Sequence, residues 1–324
     1  MFIQQQRTTK VKSKRPSKKI LRLKKSLPLH FMMAPGTILM IIFNILPIVG
    51  LYMAFAAYKP IYGKSFLSSL FNAPFVGFYF FETVFSRPDF GRVMFNTVYI
   101  AIIKIVLQTV LGILIALLLN EMMSQKLKKF LQTVYFLPYF LSWALLGSIV
   151  NNLFSINGPI NAILAATGLN RISFLSSNSW FRTIIIGSDL WKNLGYQAIY
   201  FLAAISYLDS TLYEAARIDG ANRFKLCYHI TIPGIMPIII LISVLNLGNI
   251  MNAGFEQILT LYNEIVYKTG DIIDTMAYRI GLINKSTYQF SLGTAIGLFK
   301  SLISCALFSI AYIFAAKKLD YKIF

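Results

Sequence analysis

TVYIAIIKIVLQTVLGILIALLL, residues 97–119, holds one charged side chain, Lys104, in 23 positions. A helix rises about 1.5 Å per residue and the hydrocarbon core of a bilayer is about 30 Å thick, so about 20 apolar residues suffice to cross it. The apolar run is continuous rather than alternating, which specifies a helix and not a barrel strand. Five more stretches read the same way: residues 29–57, 130–154, 181–207, 234–258 and 291–316. Asp189, Lys192 and Asn193 interrupt the fourth of the six. The predicted fold class is an all-α integral membrane protein with six transmembrane helices.

Composition agrees. Of 324 residues, 56% are hydrophobic and 13% charged, against about 25% charged in soluble proteins. A soluble enzyme, a disordered chain and a secreted disulfide scaffold are excluded. The net charge of +19 is concentrated, with ten Lys and Arg in the first 25 residues. Such a cluster ahead of a first span holds an N-terminus on the cytoplasmic side, and is not a nucleic-acid footprint. Ile20, Leu23 and Leu27 recur there at helical spacing, so residues 1–28 read as a basic interfacial helix or a plain retention signal. The following apolar segment is too long for a cleaved signal peptide and lacks a small-residue cleavage site. Residues 29–324 form the membrane domain, with no soluble domain to cut out.

Lys and Arg set the orientation. With the N-terminus inside, the cytoplasmic pieces are the tail, the loop of Lys126, Lys128 and Lys129, the loop of Arg217, Arg223 and Lys225, and residues 317–322. Glu82, Asp89, Glu264, Asp271 and Asp274 fall in the outside loops. Both termini are expected in the cytoplasm.

The loop at residues 208–233 carries the most information. Asp209 or Ser210 caps a helix start, Glu214, Ala215 and Ala216 favour helix, and Gly220 offers a left-handed stop. A second helical stretch then ends before Pro233, which opens the next span. This helix–break–helix on a membrane surface has the shape of a docking element. Glu-Ala-Ala, three residues, Gly, nine residues and Ile-x-Leu-Pro is the signature of the permease subunits of bacterial ATP-binding-cassette importers. The chain resembles it at Glu214, Ala215, Ala216, Gly220, Ile230 and Pro233, with Ile232 in place of Leu. Phe255-Glu256-Gln257, Gly270–Thr275, Tyr278-Arg279 and Gly281 extend the resemblance to the carbohydrate branch handling complex or uronate saccharides, as in alginate importers.

The resemblance, over residues 30–324, implies the importer permease fold and a chain that is not an enzyme. It implies a coupling helix at Glu214, Ala215, Ala216, Asp219, Gly220 and Pro233. It also implies a second, different permease, two ATPase subunits holding ATP and Mg, an external solute-binding protein, and a bacterial inner-membrane location. The residues agree with that division of labour. Gly63-Lys64-Ser65 lacks the upstream glycine of a phosphate-binding loop, His30 and His229 stand apart from other metal ligands, and no nucleophile–base pair is seen. No catalytic, metal or cofactor residue is assigned. The alternative, a stand-alone secondary transporter or channel, predicts coupling-ion carboxylates or inverted repeats, and only Asp189 is a central carboxylate.

Lys104, Lys192 and Lys300 lie 8 to 12 residues below the outer ends of their spans, a shared depth of roughly 12–18 Å. With Asp189 set three residues before Lys192 and neutralising it, they form a net positive layer. This layer either lines a path for an anionic sugar or pairs with carboxylates of a neighbouring subunit. Asn246, Asn249, Asn252 and Glu256 read as one polar stripe on the fifth span, facing a saccharide path or other helices. Trp191, Tyr196 and Tyr200 offer ring faces for sugars or for packing, and Gly293-x3-Gly297 permits close helix approach.

Overall fold

The computed structural model describes residues 18–63 and 65–318. The chain divides into two units, Met1–Tyr52 and Met53–Phe324. In the first, α1 (Lys18–Met40) passes through Pro28 and Pro35 and continues as a π turn, Ile41–Ile45, and a 3-10 segment, Leu46–Ala54. The Leu46 N–H bonds to the Ile41 carbonyl. Pro47 has no N–H and its ring crowds the carbonyl four residues back; a widened turn just before it relieves both problems. Because α1 runs unbroken past residue 28, no backbone boundary falls there, and the basic residues before Lys18 lie outside the described residues.

The second unit is built on long helices. Among the described residues the only extended pairing is one antiparallel bridge, Ala56 with Phe75. Two short helices, α2 (Phe66–Phe71) and α3 (Tyr79–Phe85), follow it. Phe55 packs against Phe78 and Phe81 with ring centroids 5.6 and 5.4 Å apart, so the phenylalanines of this segment serve each other. The first long helix of this unit is α4 (Phe90–Asn120). Among the described residues, four helical segments are long and apolar enough to span a membrane: Pro28–Ala54, Phe90–Asn120, Arg223–Gly248 and Gln289–Lys317.

Two expected spans are broken. In place of one helix over 130–154, α5 (Gln125–Phe136) and a 3-10 turn (Leu137–Phe140) are followed by α6 (Trp143–Phe154), and the piece Gln125–Phe140 meets the piece Trp143–Ala166 at a bend of 100°. Pro138 withholds a backbone donor there, and Ser142, extended at φ −66° and ψ 154°, caps α6 through Oγ, which accepts the Leu145 N–H at 3.3 Å. A short helix, α7 (Pro159–Ala166), follows. The fifth span ends ten residues before its expected limit of 258: α11 (Ile232–Gly248) stops and α12 (Phe255–Leu261) begins after Gly254 at φ +98°. Asparagine side chains and a glycine in left-handed backbone favour turns over helix, and three asparagines fall here.

The fourth expected span is one helix, α8 (Asn178–Ser206), 29 residues long despite its charges. The loop at residues 208–233 holds α9 (Ser210–Ile218) and α10 (Arg223–Leu226). A π turn, Cys227–Thr231, joins α10 to α11, so the second stretch of this loop does not end before Pro233 but runs through it. After α12 come α13 (Tyr267–Gly270), α14 (Ile273–Tyr278), a π turn (Arg279–Ile283) and the last helix, α15 (Gln289–Lys318).

Close packing is set by small residues. Gly195 of α8 lies against the Tyr135 backbone of α5, where a Cβ would overlap the carbonyl. Gly112 of α4 receives Gln197 and Phe201. Gly293 meets Gly281, whereas a Cβ at Gly297 would touch nothing within 4 Å, so the Gly-x3-Gly pair does not act as a unit. One core gathers Ile100, Phe181, Ile185, Met251, Ile258 and Met276; a second joins Ala116, Phe201, Ile205 and Ile235. Gly195→Ala should lower the stability of the detergent-solubilised protein by about 1–3 kcal/mol, read as an earlier thermal transition. Gly297→Ala should leave it unchanged. Equal melting of the two variants would refute the α5–α8 contact.

Candidate functional site

Lys104 is only 6% exposed and is saturated by this chain. Its ammonium lies 3.3 Å from Asp189, 2.5 Å from Gln257 Oε1 and 2.9 Å from the Ala253 carbonyl. Asp189, equally buried, also accepts from Gln108 Nε2 at 2.5 Å, and Gln257 donates to the Ile185 carbonyl and Ser188 Oγ. These bonds tie α4, α8 and α12 together. Asp189 therefore contacts Lys104, not Lys192. Lys300 is also paired internally, 2.6 and 2.7 Å from the Asp274 oxygens, with Asn252 Oδ1 at 3.4 Å.

The expected positive layer thus contains two neutral pairs. Lys192 differs: it donates to the carbonyls of Tyr139 and Leu141, at the end of the broken span, and lies over the Tyr139 and Trp143 rings. A lysine closing the exposed carbonyls of a helix end is favourable both by hydrogen bonding and by the helix dipole.

Asn246, Asn249 and Asn252 do not form a stripe on one helix, because α11 ends at Gly248. The turn gathers them all the same. With Gln108, Asp189 and Asn193 they line a cavity of about 200 Å³ beside the Lys104 pair. Asn249 bonds the Leu245 carbonyl at 3.1 Å, while the buried Asn246 Nδ2 has no partner among the described residues. Glu256, on the first turn of α12, is exposed, and its carboxylate acts electrostatically on Lys192. Trp191 is separate: it lines an apolar cavity with Leu153, Ile160 and Trp180. Tyr196 stacks on Tyr139 at 4.2 Å with an interplanar angle of 5°, and its hydroxyl bonds that of Tyr200.

Gln108, Gln257, Asn193 and Asp274 were not singled out from sequence as site residues. Gln108 lies one helical turn after Lys104, a spacing that could have marked it. Gln257 and Asp274 pair across long sequence distances, which no local pattern reveals.

At the other end of α8, Asp209 caps α9: its Oδ1 accepts the Thr211 N–H at 2.9 Å. Bonds from the Thr211 backbone and hydroxyl hold this carboxyl below the usual aspartate range. Gly220 stands at φ +77°, its N–H on the Arg217 carbonyl at 3.0 Å and the Ala221 N–H on Ala216 at 2.9 Å. This is the two-bond closure that ends many helices in a left-handed glycine. Asn222 then caps α10, accepting the Lys225 N–H at 2.9 Å. Tyr213 Oη lies 2.9 Å from the buried Thr231 Oγ1, fastening α9 to the foot of α11. Glu214, Ala215, Asp219 and Gly220 are exposed, and Ile218 is 87% exposed. Ala216 is half-buried, and Pro233 sits in the first turn of α11.

Removing one member of a buried ion pair strands the other charge, at about 3–5 kcal/mol, whereas removing both strands none. Lys104→Met or Asp189→Leu alone should therefore melt well below the parent protein. The double variant should recover part of the loss; strictly additive losses would mean that the two charges are not coupled.

Residues 108–320 match the family model described as the binding-protein-dependent transport system inner membrane component. The chain is similar to protein LplB of Bacillus subtilis (strain 168), with 37% identity over 302 residues, covering 93% of this chain and 92% of the relative. The polygalacturonan/rhamnogalacturonan transport system permease protein YteP of the same organism is 37% identical over 160 residues, 49% of each chain. Among solved structures, a chain of a bacterial alginate ABC transporter in complex with an alginate pentasaccharide-bound periplasmic protein superimposes with a TM-score of 0.84. It shares 32% identity and covers 94% of this chain and 99% of its own length.

Proposed function

The chain belongs to the family of binding-protein-dependent transport system inner membrane components, and on that premise we propose that it is one of two permeases of an ATP-driven importer of oligo- or polysaccharides, acidic ones of the alginate or pectin type included. The saccharide class is supported by what the relatives carry and by the polar cavity of Asn246, Asn249 and Asn252. Amides donate to and accept from sugar hydroxyls and ring oxygens. Six crossings, counting α8 and the bent α5–α6 pair, would leave both termini on one side of the membrane, and the basic residues of the first 25 positions favour the cytoplasmic side.

The partners are a second, different permease, two ATPase subunits that hold ATP and Mg, and an external binding protein that delivers the sugar. This chain performs no chemistry. The observation that carries the coupling is the short capped helix α9, anchored at Tyr213 and bare on the side of Glu214, Ile218 and Gly220. A partner that pulls on α9 pulls on α11 through the Tyr213–Thr231 bond and the continuous α10–α11 helix. Closure of the ATPase pair would then open the cavity outward, and hydrolysis would return it inward.

Vesicles containing the full complex should take up saccharide only with ATP, the ATPase subunits and the binding protein. Uptake by this chain alone would establish the stand-alone transporter instead. Glu214→Lys, which touches no residue of the polar cavity, should abolish uptake while membrane yield stays within about twofold, as expected of an exposed substitution. Gly220→Ala meets no clash but must hold φ +77°, a strain of about 1 kcal/mol, and should slow uptake partially. Normal uptake by both variants would remove α9 from the coupling path.

A further inference from the structure

Three lysines stand at membrane depth, and their hydrogen-bond accounts differ. An ammonium has three N–H donors. Lys104 lines the asparagine cavity, but its ammonium bonds Gln257 and the Ala253 carbonyl and its charge is cancelled by Asp189 at 3.3 Å. Lys300 has the two Asp274 oxygens and Asn252. Lys192 has two carbonyls only, so one donor is left over, and no carboxylate lies within 4 Å of it among the described residues. Of the two carboxylates that act on its charge, Asp189 is paired with Lys104 and Glu256 is exposed. Carbonyl dipoles hold the ammonium in place without cancelling its charge.

The surroundings of Lys192 are those of a sugar subsite. One turn further along α8, Tyr196 stacks on Tyr139 and contacts Tyr200, whose ring is 43% exposed. Flat rings take the apolar faces of pyranoses, and a fixed cation at their edge takes a carboxylate through a charge-assisted bond. Asn193, the next residue, lines the asparagine cavity.

We propose that Lys192 alone of the three lysines reads the carboxylate of an acidic saccharide, held by the Tyr139 and Leu141 carbonyls with its free N–H beside the Tyr139–Tyr196–Tyr200 shelf, whereas Lys104 and Lys300 are structural. This rests on the saccharide-importer reading above. It predicts that preference for acidic over neutral sugar in this chain follows one side chain.

The test uses the whole complex in proteoliposomes, with a trigalacturonate and its methyl ester as paired probes. Lys192→Gln can still donate to the two carbonyls but has no charge. It should reduce trigalacturonate uptake about tenfold or more, the scale of a lost charged hydrogen bond, and ester uptake less than about twofold. Lys192→Arg should keep the preference for the acid. Lys104→Gln and Lys300→Gln should lower complex yield without changing the acid-to-ester ratio. Parallel loss of both probes in Lys192→Gln, or loss of preference in Lys192→Arg as well, would reduce Lys192 to a structural cap. A parent complex that takes up acid and ester equally would overturn the role of Lys192 while leaving the importer reading intact. A parent complex that takes up neither probe, nor any other saccharide its binding protein delivers, would overturn both. Should Lys192→Gln fail to assemble, the arginine variant and the parent ratio still decide.

Discussion

Backbone N–H and C=O groups in hydrocarbon have no water to bind, so a helix that stops at membrane depth must find its partners within protein. This chain has two such stops, and each is answered by a lysine from another helix. Lys192 of α8 takes the carbonyls at the end of the α5 arm, and Lys104 of α4 takes the Ala253 carbonyl between α11 and α12. The breaks bring turns, asparagines and ring faces to a depth where unbroken helices would present only aliphatic side chains. They are possible because a few long cations cross from neighbouring elements to close them.

The same arrangement divides the polar interior into a fixed part and an open part. Lys104, Asp189, Gln108, Gln257 and Ser188 leave little unsatisfied, and a completed buried network of this sort is rigid and costly to disturb. Beside it, Asn246 at the end of α11 and the exposed Asn249 and Asn252 on the turn that follows line the cavity, with the buried Asn246 Nδ2 unpaired among the described residues. Rigid support next to adaptable donors and acceptors suits a site that must hold a hydroxylated solute briefly and release it. The apolar cavity at Trp191 has none of this chemistry and reads as packing.

Much of the fold was legible because hydropathy is a bulk property. The long helices α4, α8, α11 and α15 coincide with apolar runs, and the α9 stop at Gly220 could be read from capping chemistry alone. What escaped was where runs break. Neither Leu137-Pro138 nor the asparagines after Gly248 lower hydropathy enough to interrupt a window, yet both redirect the backbone. The asparagines were therefore read as a stripe on one helix, whereas the helix ends among them at Gly248. The lysines were read as a charged layer without their partners, which lie 26 to 153 positions away in sequence, where no local spacing rule reaches.

The π turn at Cys227–Thr231 has a geometric consequence for the whole cytoplasmic end. In a regular helix of about 100° per residue, Leu226 and Thr231 would point about 140° apart. One extra residue in the turn brings that difference down to about 40°, the same offset that separates Thr231 from Ile235 four positions later. Leu226, Thr231 and Ile235 are all buried, so they form one inward seam across the junction. Deleting a single residue from this turn would restore regular winding and swing α9 and α10 around the axis of α11. The angular setting of α9 and α10 against α11 is thus encoded in one surplus residue of a short turn.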